Sequence, residues 1–161
     1  MLKFSGFVAA AAMALTIPSY TATAQALGPG SAVCAANGSA VKVNIVGLKA
    51  RTGTLRVNLY TNNSKTYLEK GKYAQRVEVA VPKSGEVAVC MPVNPGTYAV
   101  SVRHDRNGNR KSDMSDGGGF SGNPKMSVMD AVLKRKPSLA KTAFSVGGDT
   151  KNITISMQYA S

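Results

Sequence analysis

The chain has 161 residues, 43% of them hydrophobic, with 20 Lys and Arg against 8 Asp and Glu, two Cys, one His and no Trp. These counts fit one domain and exclude a disordered chain, a disulfide-dense miniature scaffold and a multi-histidine metal site. With only 17% charged residues, the formal net charge of +12 reflects scarce acids more than abundant bases, and charge alone selects no partner.

The first 24 residues read as an address. Met1-Leu2-Lys3 is a short positive start, Phe4 to Ile17 is an alanine-dominated apolar run, and Ala22-Thr23-Ala24 sets small residues two apart before Gln25. This is the pattern of a secretory signal peptide, cleaved after about Ala24. The run is too short to cross a hydrocarbon core of about 30 Å, and no later segment is longer, so the mature chain is expected to lack a transmembrane segment. The first cysteine, Cys34, is too far from Ala24 for a lipid anchor at the cleavage point. Residues 25–161 are expected to form a single secreted domain, periplasmic or extracellular, and a monomer. Its formal charge is +11, because the leader carries one lysine. In an oxidising compartment Cys34 and Cys90 are expected to pair, with two buried thiols as the alternative; without a Cys-x-x-Cys, a redox role is not expected.

The mature chain alternates with a period of two, the mark of strands with one buried face. Val41, Val43 and Ile45 are separated by Lys42 and Asn44, and Leu55, Val57 and Leu59 by Arg56 and Asn58. Val77, Val79 and Val81 follow, then Val87 and Val89, then Tyr98, Val100 and Val102, and finally Ile153, Ile155, Met157 and Tyr159. Turn signals at Arg51-Thr52-Gly53, Pro82-Lys83-Ser84-Gly85 and Pro95-Gly96 divide them. Tyr67 to Tyr73 fits a helical turn or a loop. Helical spacing occurs in Met126 to Lys136, where Ser127 is a cap with Asp130 three later, Met129, Val132 and Leu133 share a face, and Pro137 stops the run. The expected fold is all-β: an antiparallel β-sandwich of about seven strands, transthyretin-like or immunoglobulin-like, with one short helix packed over one end of the sheets.

The segment from His104 to Asp116 carries the main functional signal. With Asp105 as position one, oxygen side chains fall at positions one, three, five, nine and twelve: Asp105, Asn107, Asn109, Asp113 and Asp116. Lys111, at position seven, would contribute its backbone carbonyl. A hard cation such as Ca²⁺ takes six to eight oxygens, and alternate residues of a tight loop supply them. Three features dissent: Arg110 stands where the helical calcium loop has glycine, position twelve is Asp rather than bidentate Glu, and a strand precedes the loop. Three acids are matched by Arg106, Arg110 and Lys111, so the loop is formally neutral. Binding at the weak end, roughly 0.1 to 1 mM, is what such a loop predicts. The alternative is that Asn and Asp fold it through side-chain turns without metal.

His104, the sole histidine, stands beside Asp105, and Ser121 lies in Gly119-Phe120-Ser121-Gly122-Asn123. An envelope hydrolase using His104 with Ser121 or a loop carboxylate is the rival reading. It lacks the nucleophile-elbow spacing, which needs glycine at position 123. Gly117 to Gly122 neither follows a strand nor opens a helix, so it is not a phosphate loop. Lys134-Arg135-Lys136 tops a basic surplus that suits anionic envelope polymers, but no aromatics interleave with it, and specific nucleic-acid binding is not expected.

Gly53-Thr54-Leu55-Arg56-Val57-Asn58-Leu59-Tyr60, Pro95-Gly96-Thr97-Tyr98-Ala99-Val100, His104-Asp105 with Asn107 and Asn109, Gly119-Phe120-Ser121 before Asn123-Pro124, and Ala143-Phe144-Ser145-Val146 together resemble the exported bacterial proteins classed as domain of unknown function 2141. The resemblance spans about residues 41–159. It implies a transthyretin-like or immunoglobulin-like sandwich and an exported location, and no particular activity. The combined expectation is a non-enzymatic exported sandwich that binds an unidentified envelope or extracellular ligand through the 104–124 loops. His104, Phe120, Ser121 and Asn123 are the candidate ligand residues, and calcium is the candidate cofactor.

Overall fold

A computed structural model describes residues 26–127, 129, 130, 133 and 135–160. The signal peptide and its cleavage point lie outside the described residues. Along the chain run α1 (Ser31–Ala35), β1 (Ala40–Val46), β2 (Thr54–Thr61), β3 (Gln75–Ala80), β4 (Val87–Pro92), β5 (Gly96–Asp105), β6 (Gly117–Phe120), α2 (Leu139–Thr142), β7 (Phe144–Val146), β8 (Thr150–Ser156) and β9 (Gln158–Tyr159).

Two sheets form. One has the order β4-β1-β8, the other β3-β2-β5-β6-β9, with β7 pairing the start of β5. Alternation sets what lies between them. Val41, Val43 and Ile45 of β1 and Val87, Val89 and Met91 of β4 face Leu55, Val57 and Leu59 of β2 and Val100 and Val102 of β5, all in one buried cluster. A buried side chain of this size contributes about 1.5–3 kcal/mol, so this cluster is the main source of stability. A second, smaller cluster covers the outer face at one end of the larger sheet, where Tyr60 and Ala99 pack under Tyr67, Leu68 and Leu139. The 67–73 segment is thus a run of turns pinned by Tyr67, whose hydroxyl meets that of Thr142 at 2.8 Å.

The all-β sandwich is as the alternation predicts, with differences of detail. Nine strands are described rather than about seven, because Gly117–Phe120 and Phe144–Val146 pair with β5 although neither carries a clear alternating pattern. The sandwich is not wholly antiparallel: β1 and β8 run parallel, Val43 opposite Ile153. Of the expected helix at 126–136, Met129 and Asp130 are helical and the capped start is present. Ser127 Oγ accepts from the Asp130 N–H at 3.1 Å, as a cap does, and Leu133 N–H reaches Met129 O at 2.9 Å. Val132, with positions 128, 131 and 134, lies outside the described residues. Met129 and Leu133 are exposed, so these two members of the expected apolar face do not pack on the sheets.

Cys34 and Cys90 form a disulfide, with Cα atoms 6.3 Å apart, that ties α1 to β4. Beside it Leu27 bonds along β4, its N–H to Ala88 O at 2.7 Å and its carbonyl to the Cys90 N–H at 2.8 Å. The edge of the smaller sheet is thereby partly covered. Among the described residues no helix is long and apolar enough to cross a membrane.

Candidate functional site

Strand β5 carries the site. Its alternation sends Val100, Val102 and His104 into the core and Arg103 and Asp105 to the outer face of the larger sheet. The chain then turns through residues 106–116 and returns as β6, with Gly117 opposite His104 and Phe120 opposite Ser101. Gly53 secures the base of this loop. It has φ +75°, and a Cβ there would collide with the Asp105 carbonyl.

The loop is folded by its own side chains. Asn107 Oδ1 accepts the Asn109 N–H at 3.1 Å, and Asn109 Oδ1 accepts the Lys111 N–H at 2.7 Å. Asp105 Oδ2 accepts the Arg110 N–H at 2.7 Å. Arg110 sits at φ +64°, so it takes at position six the left-handed conformation that glycine would adopt there. The departure from the calcium-loop pattern is one of side chain, not of backbone hand. Both Asn107 Nδ2 and Asn109 Nδ2 donate to Asp113 Oδ2 at 3.0 Å, and Asp113 Oδ1 accepts from the Ser115 hydroxyl and N–H. Led by the Ser115 hydroxyl, these bonds hold the Asp113 carboxyl down from 3.8 to about 2.

Asp105 and Asp116 flank Arg103. The guanidinium Nη2 lies 3.3 Å from Asp105 Oδ2 and Nε lies 3.9 Å from Asp116 Oδ2. The two carboxylates are 3% and 5% exposed, and each has one oxygen, Oδ1, buried without a hydrogen-bond partner. Buried carboxylate oxygens are normally bonded, so two orphans in one loop call for a physical account. Of the sequence-predicted oxygen ligands, Asn107, Asn109 and Asp113 meet directly. Asp116 joins through the Asp113 N–H, at 3.4 Å from its Oδ2, and Asp105 through the Arg110 N–H and Arg103. Among the described residues no three His, Cys, Asp or Glu side chains gather as a metal cluster.

The other predicted residues divide. His104 is fully buried: its Nε2 lies 2.8 Å from Thr52 O and its Nδ1 2.7 Å from the Tyr159 hydroxyl. A carbonyl only accepts, so Nε2 carries the proton and Nδ1 accepts from Tyr159. Burial pushes the Tyr159 hydroxyl up, against the Lys49 N–H that bonds it. Ser121 is buried too, its Oγ accepting the Val100 N–H at 2.9 Å and donating to Thr142 O. His104 and Ser121 do not meet. Ser121 bonds at Val100, four residues along β5 from His104, or about 13 Å at the strand rise. Asn123, at φ +48°, clips the edge of β8, donating to Thr154 O at 2.9 Å and accepting the Ser156 N–H at 2.8 Å. Of these four residues Phe120 alone lines a groove, of about 330 Å³, that opens beside the loop. Arg103, Gly118, Gln158 and Tyr159 border that groove as well. Sequence reasoning did not select them; the outward position of Arg103 on β5 was the one available signal.

Residues 43–154 match the family described as an uncharacterised protein conserved in bacteria, DUF2141. No curated protein and no solved structure matches the chain. The matched span runs from β1 into β8, taking in both sheets, β5 and the whole 105–116 loop, and the chain belongs to the DUF2141 family.

Proposed function

We propose that this protein is an exported binding module, not an enzyme, whose 105–116 loop takes a divalent cation such as Ca²⁺ and presents the adjoining surface to a ligand at the cell envelope. The carrying observation is the pair of buried, unpartnered oxygens, Asp105 Oδ1 and Asp116 Oδ1. A hard cation supplies what those oxygens lack. Asn107 and Asn109 aim amide nitrogens at Asp113; offering oxygens there takes a half-turn of each amide, which gives up its bond to the Asn109 or Lys111 N–H in exchange for the cation. Asp113 stays ionised well into acid, and Arg103 leaves the buried pair of carboxylates with a net negative charge. Export is supported by the leader pattern and by the disulfide, which belongs to oxidising compartments. The non-enzymatic reading draws support from the two groups best suited to hydrolysis, the His104 ring and the Ser121 hydroxyl, each being buried and bonded elsewhere.

Calorimetric titration of the mature chain with calcium tests this. A dissociation constant of roughly 0.1 to 1 mM is expected, abolished in Asp105→Ala. Arg110→Gly removes one cation and relieves a left-handed non-glycine residue, and should bind several-fold tighter. No heat and no thermal shift at about 10 mM calcium would overturn the metal.

A further inference from the structure

Three consecutive glycines open β6, and only two have a reason in the packing. A Cβ on Gly117 would strike the Tyr159 ring, and one on Gly119 would strike Ile155. At Gly118 a Cβ would meet nothing within 4 Å, and its φ is not in the left-handed region. Glycine inside a strand weakens it, and the usual reasons for keeping one there are a bulge, a tight bend or the close approach of a ligand or another backbone. Gly118 is the floor of the groove beside the loop, between Arg103 on β5 and Gln158 on β9, its cross-strand neighbours.

The lining of that groove names a chemistry. Phe120, Met114 and Met126 supply apolar surface around the bare floor, while the Tyr159 ring packs under Gly117 on the opposite face of the sheet. Four charged residues join them, Arg103 and Arg135 with Asp113 and Asp116, so the lining is formally neutral and offers strong donors and acceptors together. An anion would meet the two aspartates and a cation the two arginines. The complementary ligand is uncharged, flat on one face and rich in hydroxyls at its rim. We propose that the groove over Gly118 binds a sugar ring of a neutral glycan, the ring's C–H face lying on Gly118 beside Phe120, its hydroxyls bonded by the Arg and Asp side chains. This extends the binding reading to an adjoining site, which shares Asp113 and Asp116 with the loop and does not need the cation.

Amide chemical shifts of the isotope-labelled mature chain test it, with cellotriose, maltotriose and triacetylchitotriose each added to about 10 mM, in chelator and again in calcium. Shifts of the Gly117, Gly118 and Phe120 amides in chelator are expected. Gly118→Leu, which fills the groove from an uncrowded position, should weaken binding at least about tenfold with an unchanged melting temperature. Gly118→Ala, whose Cβ has free space, serves if the leucine variant does not fold, and should weaken binding less. The proposal is overturned if none of the three sugars moves these amides, if the glycine variants bind as the parent does, or if octanoate alone moves them. Sugar shifts that occur only in calcium also overturn it, since they put the ligand on the ion. Absence of calcium heat with sugar shifts retained would defeat the cation reading and leave this one standing.

Discussion

Asp113 is the hinge of the loop at the scale of single residues. One carboxylate oxygen receives two asparagine amides and the other receives Ser115, so the acid organises three neighbouring positions from an exposed site. An acid held below its ordinary pKa contributes order above its unfolded value and loses it as pH falls through the folded one. With 3.8 depressed to about 2, the loop should hold its turns at pH 4 and release them on the way to pH 2. The Asn107 and Asn109 side-chain amide resonances report this directly. A single titration centred near 2 is expected, and a midpoint at the ordinary carboxylate value would show that the bonds to Asp113 are not made. Much of this was legible beforehand, because Asp and Asn at alternate positions announce a loop that folds on its own side chains. Arg110 was not legible in the same way. Its left-handed backbone is imposed by the Asp105 carboxylate that receives its N–H, and arginine has no sequence preference that would reveal it.

At the scale of elements, β5 does two jobs with one alternation. Even-numbered residues from Val100 to His104 close the core, while Arg103 and Asp105 face outward and start the site. His104 therefore ends the core as a buried ring spanning the Thr52 carbonyl and the Tyr159 hydroxyl. Replacing it with alanine leaves both partners unpaired and opens a cavity, and should cost about 2–4 kcal/mol. Urea unfolding followed by circular dichroism measures that loss. A change below about 0.5 kcal/mol would mean the two bonds are not formed. The alternation that predicted β5 also put His104 on its inner face, but two partners far away in sequence decided that it is structural. β6 shows the opposite limit. Glycines carry no hydrophobic pattern, so Gly117–Phe120 reads as a loop until β5 and β9 are present to bond it on both sides.

For the whole molecule, the sandwich and its staple set stability together. The disulfide closes a loop with a sequence separation of 56, for which chain entropy gives about 4 kcal/mol. A Cys34→Ala/Cys90→Ala double variant should lose about that much stability, a large part of the 5–15 kcal/mol typical of a domain. Denaturant midpoints of the parent, with and without reductant, and of the double variant give the comparison. A midpoint unmoved in both would show the bridge idle. Core and staple also mean that the fold should persist when the loop releases its turns in acid, since most of the residues that build it lie outside the space between the sheets.

The sequence by itself determined the inside and outside of six strands and the loop at 105–116, and it pointed to the cysteine pairing that the structure shows. Each depends on local periodicity, count or spacing, which a chain displays before it folds. Only the tertiary structure decided that β8 runs parallel to β1, that His104 and Ser121 are separate buried groups, that Asn123 guards a strand edge, and that a groove floored by Gly118 lies beside the loop. Those features join residues as much as 110 positions apart, Val43 to Ile153, and their physical cause is which backbone and side-chain groups remain to satisfy one another once the two sheets have closed on the core.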